Sequence, residues 1–134
     1  PPMGPPPKKG GCPPIWNRIS QDLIMKFTAG VPGGQCNDMA RTAIRIAFHD
    51  CASWNMKLGT SAGCDGSLYL AKEYIRKENA GLENNVPQFG QMAQQYGVGV
   101  ADFFQFAAGK FNHSLWFFLS FPCHPFLESP SLEF

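Results

Sequence analysis

The stretch from Asn37 to Cys51, Asn-Asp-Met-Ala-Arg-Thr-Ala-Ile-Arg-Ile-Ala-Phe-His-Asp-Cys, constrains the chain more than any other. Its apolar residues recur at helical spacing on more than one side: Met39, Ala43 and Ile46 form one row, and Ile44, Ala47 and Cys51 another. A helix that is apolar all round is stable only inside a protein, so other elements must surround it. From Cys12 to Gly109 the sequence offers helices for that purpose and almost no alternating strand pattern. Pro14 to Thr28 carries Ile15, Ile19, Leu23 and Phe27 on one face with Ile24 beside them, and Gly30, Pro32, Gly33 and Gly34 stop it. Asn37 or Asp38 caps the central helix, Ser67 caps a third helix through Arg76, Gln88 to Tyr96 forms a fourth closed by Gly97, and Val100 to Ala108 a fifth. The expected fold class is all-α.

The length of 134 residues suits one compact domain. A net charge of +1 with 16% charged residues offers no polyanion-binding surface, which excludes nucleic acid as an expected partner. The apolar stretches fall short of the ~20 residues that a membrane span needs, so no membrane partner is expected either. Composition is uneven at the two ends. Seven of the twelve prolines lie in the first fourteen residues, so residues 1–11 read as a flexible Pro-rich arm. Six of the twelve phenylalanines lie in the last twenty-four, where helical periodicity fades. Five cysteines lean toward an oxidising compartment, and the odd number leaves at least one thiol without an intramolecular partner. No apolar leader precedes the arm, so a secreted chain would have had its leader removed.

Two polar residues stand out on the central helix. Arg45, Phe48 and His49 lie at i, i+3 and i+4, which puts a guanidinium and an imidazole on one face about 6 Å apart along the axis. Two readings are open: Arg45 paired with a carboxylate beside a satisfied core histidine, or a polar pair facing a cavity where a small ligand's charge is handled. The sequence that follows bears on the choice. Asp50, Asp65 and Ser67 offer oxygen ligands for a hard cation, and Gly63 a carbonyl where a side chain would crowd the site. Calcium is the natural ion, in a loop that is not an EF-hand. Taken alone, Asp65-Gly66-Ser67 reads equally as a turn with a helix cap.

Arg45-Ile-Ala-Phe48-His49-Asp50 resembles the distal helix of the plant, fungal and bacterial haem peroxidase superfamily, and Gly63-Cys-Asp65-Gly-Ser67 its distal calcium loop. Glu73, Glu78-Asn79-Ala-Gly-Leu82, Tyr96-Gly97-Val98 and Ala101-Asp102-Phe103 to Ala108 resemble the elements that follow. The resemblance runs in order from Cys12 to Gly109 and is strongest to the secreted fungal class II enzymes. It implies haem b and Ca²⁺ as cofactors, H₂O₂ and a small organic reductant as substrates, secretion and a monomer. It implies His49 as the base that takes a peroxide proton and returns it to the leaving oxygen, and Arg45 as the cation that stabilises charge during O–O cleavage. Phe48 and Arg45 would line the haem. Asn79 would accept a hydrogen bond from His49, with Glu73 steadying Asn79 from behind. Asp50, Gly63, Asp65 and Ser67 would hold the calcium. A bridge between Cys51 and Cys64 would close the calcium loop, whereas the usual partners of Cys12 and Cys36 come later in the family, leaving both unpaired here.

The resemblance stops at Gly109. The proximal histidine that binds haem iron has no counterpart, since His113 and His124 lie in a different context, so the chain reads as the distal half of the fold and as inactive alone. Residues 110–134 read as a non-family tail. Gly109-Lys110-Phe111 can be encoded GGT AAG TTT, which contains an intron start, and a retained intron would yield such a tail. Manganese-oxidising members place acidic residues where this chain has Thr42 and Asp38, with a third carboxylate far downstream, and Asp38 alone of the three disfavours Mn²⁺ oxidation. Trp16 reads as a helix-packing residue and Trp54 as a loop residue, not as radical sites. The alternative function is a calcium-stabilised secreted binding protein without catalysis, or a non-functional truncation product.

Overall fold

A computed structural model describes residues 12–32, 35–57 and 63–115. The expected arm and residues 116–134 of the expected tail lie outside them. The described residues form five α-helices and no strand: α1 (Ile15–Thr28), α2 (Asp38–Cys51), α3 (Ser67–Leu70), α4 (Asn85–Tyr96) and α5 (Val100–Leu115), with 3₁₀ turns at Glu73–Ile75 and Lys77–Asn79. The all-α expectation holds.

Helix α2 packs along α5, and α1 and α4 flank the pair. Ile19, Leu23 and Phe27 of α1, spaced four residues apart, are wholly buried against Ala40, Ala43 and Ile46 of α2 and Phe103, Phe104 and Ala107 of α5. The centre is aromatic. Phe89 lies 6.3 Å from Phe27 and 6.2 Å from Phe103, and Tyr96 stacks on Phe103 at 6.2 Å. Burying each phenylalanine stabilises the fold by about 1.5–3 kcal/mol, with about 0.5–1.5 kcal/mol more per well-placed ring pair. Trp16 packs on Phe106 at 4.6 Å, in keeping with a packing role.

Asn37 joins the first two helices. Its side-chain oxygen accepts from the Ala40 N–H at 3.2 Å, capping α2, while its amide nitrogen donates to the Lys26 and Ala29 carbonyls at the end of α1. Asp38 instead pairs with Arg41. The chain leaves α1 through extended Ala29 and Gly30 at φ 74°.

Three helix ends differ from the sequence expectation. Helix α3 stops at Leu70 instead of reaching Arg76, because Lys72 adopts the left-handed region (φ 56°) and starts a 3₁₀ turn. Ser67 does not cap it. Left-handed Gly66 holds the cap position, and carboxylates from outside the helix serve its amides: Asp50 accepts from Gly66 and Leu68, and Asp65 from Ser67. Helix α4 begins at Asn85, three residues early, since Pro87 falls in the first turn where its missing N–H costs nothing. Helix α5 continues through Gly109 to Leu115. Cys12 is disulfide-bonded, which corrects the expectation that it is unpaired, and Cys36 is the free cysteine among the described residues.

Two glycines make opposite predictions. A Cβ on Gly90 would stand 2.3 Å from the Tyr69 ring, whereas one on Gly109 meets nothing within 4 Å. Gly90→Ala should lose about 1–3 kcal/mol to overpacking, and Gly109→Ala should gain up to about 1 kcal/mol of helix propensity; urea titrations of the two variants check the signs. A second prediction concerns Tyr96, whose hydroxyl donates to Asp22 of α1. Burial first, then the Asp22 hydrogen bond and charge, push the phenol from 10.0 to about 12. A raised acid favours the fold while both states stay protonated. Its contribution should therefore be full below pH 10 and lost as pH rises to about 12. Tyr96→Phe should flatten that alkaline decline in melting temperature and lower neutral-pH stability by about 1 kcal/mol.

Candidate functional site

The outward strip of α2 carries the polar pair. Ile44, Arg45 and Phe48 are exposed, Phe48 at 71% of its surface, while Ala43, Ile46 and Ala47 on the other side enter the core. His49 lies half-buried beside Phe48, their rings edge to face at 5.9 Å. Of the first reading open for this pair, the ion pair is missing among the described residues and the partner of the histidine is present. Arg45 forms no ion pair among the described residues, and its guanidinium donates instead to the Ala80 carbonyl at 3.2 Å. His49 is at the edge of the core and not within it.

One amide fixes the histidine. His49 Nδ1 is 2.7 Å from Asn79 Oδ1, and Asn79 Nδ2 donates to the Glu73 backbone carbonyl at 2.7 Å. A carbonyl only accepts, so the Glu73 bond determines which end of the Asn79 amide is NH₂. Its oxygen therefore faces His49, Nδ1 carries the hydrogen, and the lone pair sits on Nε2. Asn79 is buried, which leaves little water to compete for the bond. Glu73 thus supports Asn79 through its backbone. Its carboxylate is engaged elsewhere, accepting from Ser67 Oγ at 3.1 Å and pairing with Arg76 at 3.0 Å.

The expected cation ligands lie on the last turn of α2 and on the segment that leads into α3. Asp50 is 2% exposed, and its two oxygens accept from the Gly66 N–H at 2.9 Å and the Leu68 N–H at 3.2 Å. Burial pushes its carboxyl above the ordinary 3.8; those amides oppose the shift, and the Asp65 and Glu73 charges add to it. Asp65 moves the other way, held low first by the hydrogen bond from the Ser67 N–H. The Gly63 carbonyl accepts from the Asp65 N–H at 3.0 Å, and its N–H donates to Ser53 Oγ at 3.2 Å. Cys51 and Cys64 are disulfide-bonded, tying this loop to α2. No cluster of three or more His, Cys, Asp or Glu side chains with metal-binding geometry occurs among the described residues. The donors present suit a hard cation in one respect: a buried carboxylate faces two further carboxylates of its own sign.

Sequence reasoning missed three supports. The Ala80 carbonyl under Arg45 leaves no side-chain signal. The amide of Gln105 on α5 donates to the Ala47 carbonyl at 3.3 Å and lies 3.0 Å from Cys51 Sγ, pinning the end of α2. Arg76, three residues after Glu73, orients the Glu73 carboxylate, and the i, i+3 spacing of opposite charges is a signal that would have found it.

No helix among the described residues is long and apolar enough to cross a membrane. No curated protein and no solved structure matches the chain. A family model does: the model described as Peroxidase matches residues 21–121, a span holding Arg45, His49, Asp50, Asn79 and the whole of α2 to α5. With three-quarters of its length matched and an all-α fold that presents an arginine and an oriented histidine on one open helix face, the chain belongs to the peroxidase family.

Proposed function

We propose that this chain supplies the distal side of a haem site that reduces H₂O₂ with electrons from a small organic donor, in a secreted protein related to the class II enzymes. The observation that carries the reading is the 2.7 Å contact between His49 Nδ1 and Asn79 Oδ1, because it leaves Nε2 as the ring nitrogen that Asn79 does not engage. The residues fit the distal side of a haem: Phe48 and Ile44 offer apolar surface, and the same strip carries a base and a permanent cation. When bound, haem supplies the iron centre at which the O–O bond is broken and from which the donor is oxidised.

His49 Nε2 accepts a proton from the peroxide and delivers it to the departing oxygen as water forms. The Asn79 oxygen steadies the imidazolium in between, because Nδ1 keeps its proton and its partner throughout. Arg45 donates to the departing oxygen as negative charge develops. Phe48 limits what reaches the pair. Asp50, Asp65, Ser67 and Gly63 are taken as ligands of a Ca²⁺ site whose part is to hold the last turn of α2, where Asp50 directly follows His49. In this reading residues 12–109 hold the distal domain, and α5 and the family match run on past residue 109.

Two outcomes follow. The full chain, mixed with haemin and with imidazole as an external iron ligand, should develop a Soret band and oxidise a dye with peroxide, and His49→Ala should lower that rate by about 10²–10⁴. Equal rates in the two proteins, or no haem uptake by a soluble chain, would overturn the enzyme reading and favour a binding protein. Calcium is tested by melting. Asp50's raised carboxyl stabilises the fold below the carboxylate range, and that contribution is lost as pH rises through its folded value. Ca²⁺ at a hundredfold excess over its Kd should therefore raise stability by about 2.7 kcal/mol at neutral pH, with a gain that shrinks on acidification and is absent in Asp50→Asn. A melting temperature indifferent to EDTA sinks the calcium assignment.

A further inference from the structure

Arg45 and His49 of α2 are held by one turn. Asn79 to Leu82 has a hydrogen bond from the Leu82 N–H to the Asn79 carbonyl at 3.1 Å. Ala80 lies at φ −53°, ψ 133° and Gly81 at φ 88°. Those angles define a type II turn, with Ala80 and Gly81 at its two central positions. The first residue's side chain bonds His49, and the second residue's carbonyl accepts from Arg45. A Cβ built on Gly81 would sit 3.5 Å from an Arg45 nitrogen, so the guanidinium lies directly over the turn. Wholly buried Leu82 anchors one end, and the Glu83 carboxylate takes the Gly81 N–H at 2.8 Å.

We propose that Gly81 is a positioning residue for the reaction, because the type II turn it permits aims the Ala80 carbonyl at Arg45 while Asn79 aims His49. This deepens the peroxidase reading and rests on it for the roles of Arg45 and His49. Types I and II differ by rotation of the central peptide through roughly 150–170°. A type I turn at Asn79–Leu82 would thus present the residue-81 N–H where the Ala80 oxygen now stands. An N–H facing a guanidinium is a donor facing a donor, so Arg45 would lose its seat and meet repulsion instead. The choice between the two turns lies with residue 81, which must take positive φ. Glycine does so freely and asparagine tolerably, whereas a β-branched side chain is strongly disfavoured there. Crowding is not the reason, since a contact of 3.5 Å is ordinary.

The test uses the full chain labelled with ¹⁵N. In the wild type, Arg45 Nη protons should show slowed rotation and exchange, and His49 should show the Nδ1–H tautomer. Gly81→Asn should keep both signatures. Gly81→Val should abolish the Arg45 signature while the methyl spectrum of the core stays native. If Gly81→Val does not fold, Gly81→Ala decides, with partial loss of the same signal expected. A freely rotating Arg45 guanidinium in the wild type, or a wild-type signal retained in the folded Gly81→Val or Gly81→Ala protein, overturns the proposal. In the haem-loaded chain, Gly81→Val should slow peroxide-dependent oxidation by about tenfold or more, yet cause no further loss when Arg45 is already leucine. Additive losses in that double variant count against the proposal. Native NMR signatures in a wild type that takes up no haem would refute the peroxidase reading and leave the turn's geometry standing.

Discussion

The site depends on a carboxamide that has no freedom left. Asn79 donates to the Glu73 carbonyl and accepts from His49, and its own carbonyl closes the turn to Leu82. A histidine on an exposed helix face would ordinarily exchange between two tautomers and several rotamers. Here the ring is held by a buried partner whose orientation is dictated by a third group, so its basic nitrogen is specified before any ligand arrives. Preorganisation of this kind is inexpensive for the fold, because no buried side-chain nitrogen or oxygen among the described residues lacks a partner.

The arrangement divides labour between the two sides of α2. Its inner side binds the helix to the aromatic centre through Ala40, Ala43 and Ile46, small and branched residues that admit close approach to α1 and α5. Its outer side presents Arg45 and Phe48, with His49 beside them. Its last residues are fastened at once by the disulfide to Cys64, the Gln105 amide and the Asp50 bonds to the start of α3. A helix held so firmly at its C-terminal end delivers His49 to a fixed place, and the residues that fix it need not touch a substrate.

Much of this was legible in the sequence, and the illegible part has a physical cause. Apolar rows at helical spacing exposed α1, α2, α4 and α5, because the core selects residue types at those positions. The placing of Asn79 beside His49 followed from matched motifs. What escaped was backbone work. That Lys72 would turn left-handed and end α3 contradicts ordinary residue preference, so no propensity could announce it. The Ala80 carbonyl is common to every residue type, and only the glycine after it hinted that the peptide was aimed. Ser67 read as a cap because serine often caps, yet the helix starts from left-handed Gly66, whose carbonyl takes the Tyr69 and Leu70 amides, and the Ser67 hydroxyl goes to Glu73.

Asn37 carries a further consequence for how the molecule opens. One amide serves the last carbonyls of α1 and the first amides of α2, so neither end can fray without releasing the other. The two termini therefore belong to one cooperative unit, and amide hydrogens on either side of the connection should share a single opening free energy. The helix that bears the histidine is in this sense insured at its far end by its predecessor, through a residue remote from the chemistry that depends on it.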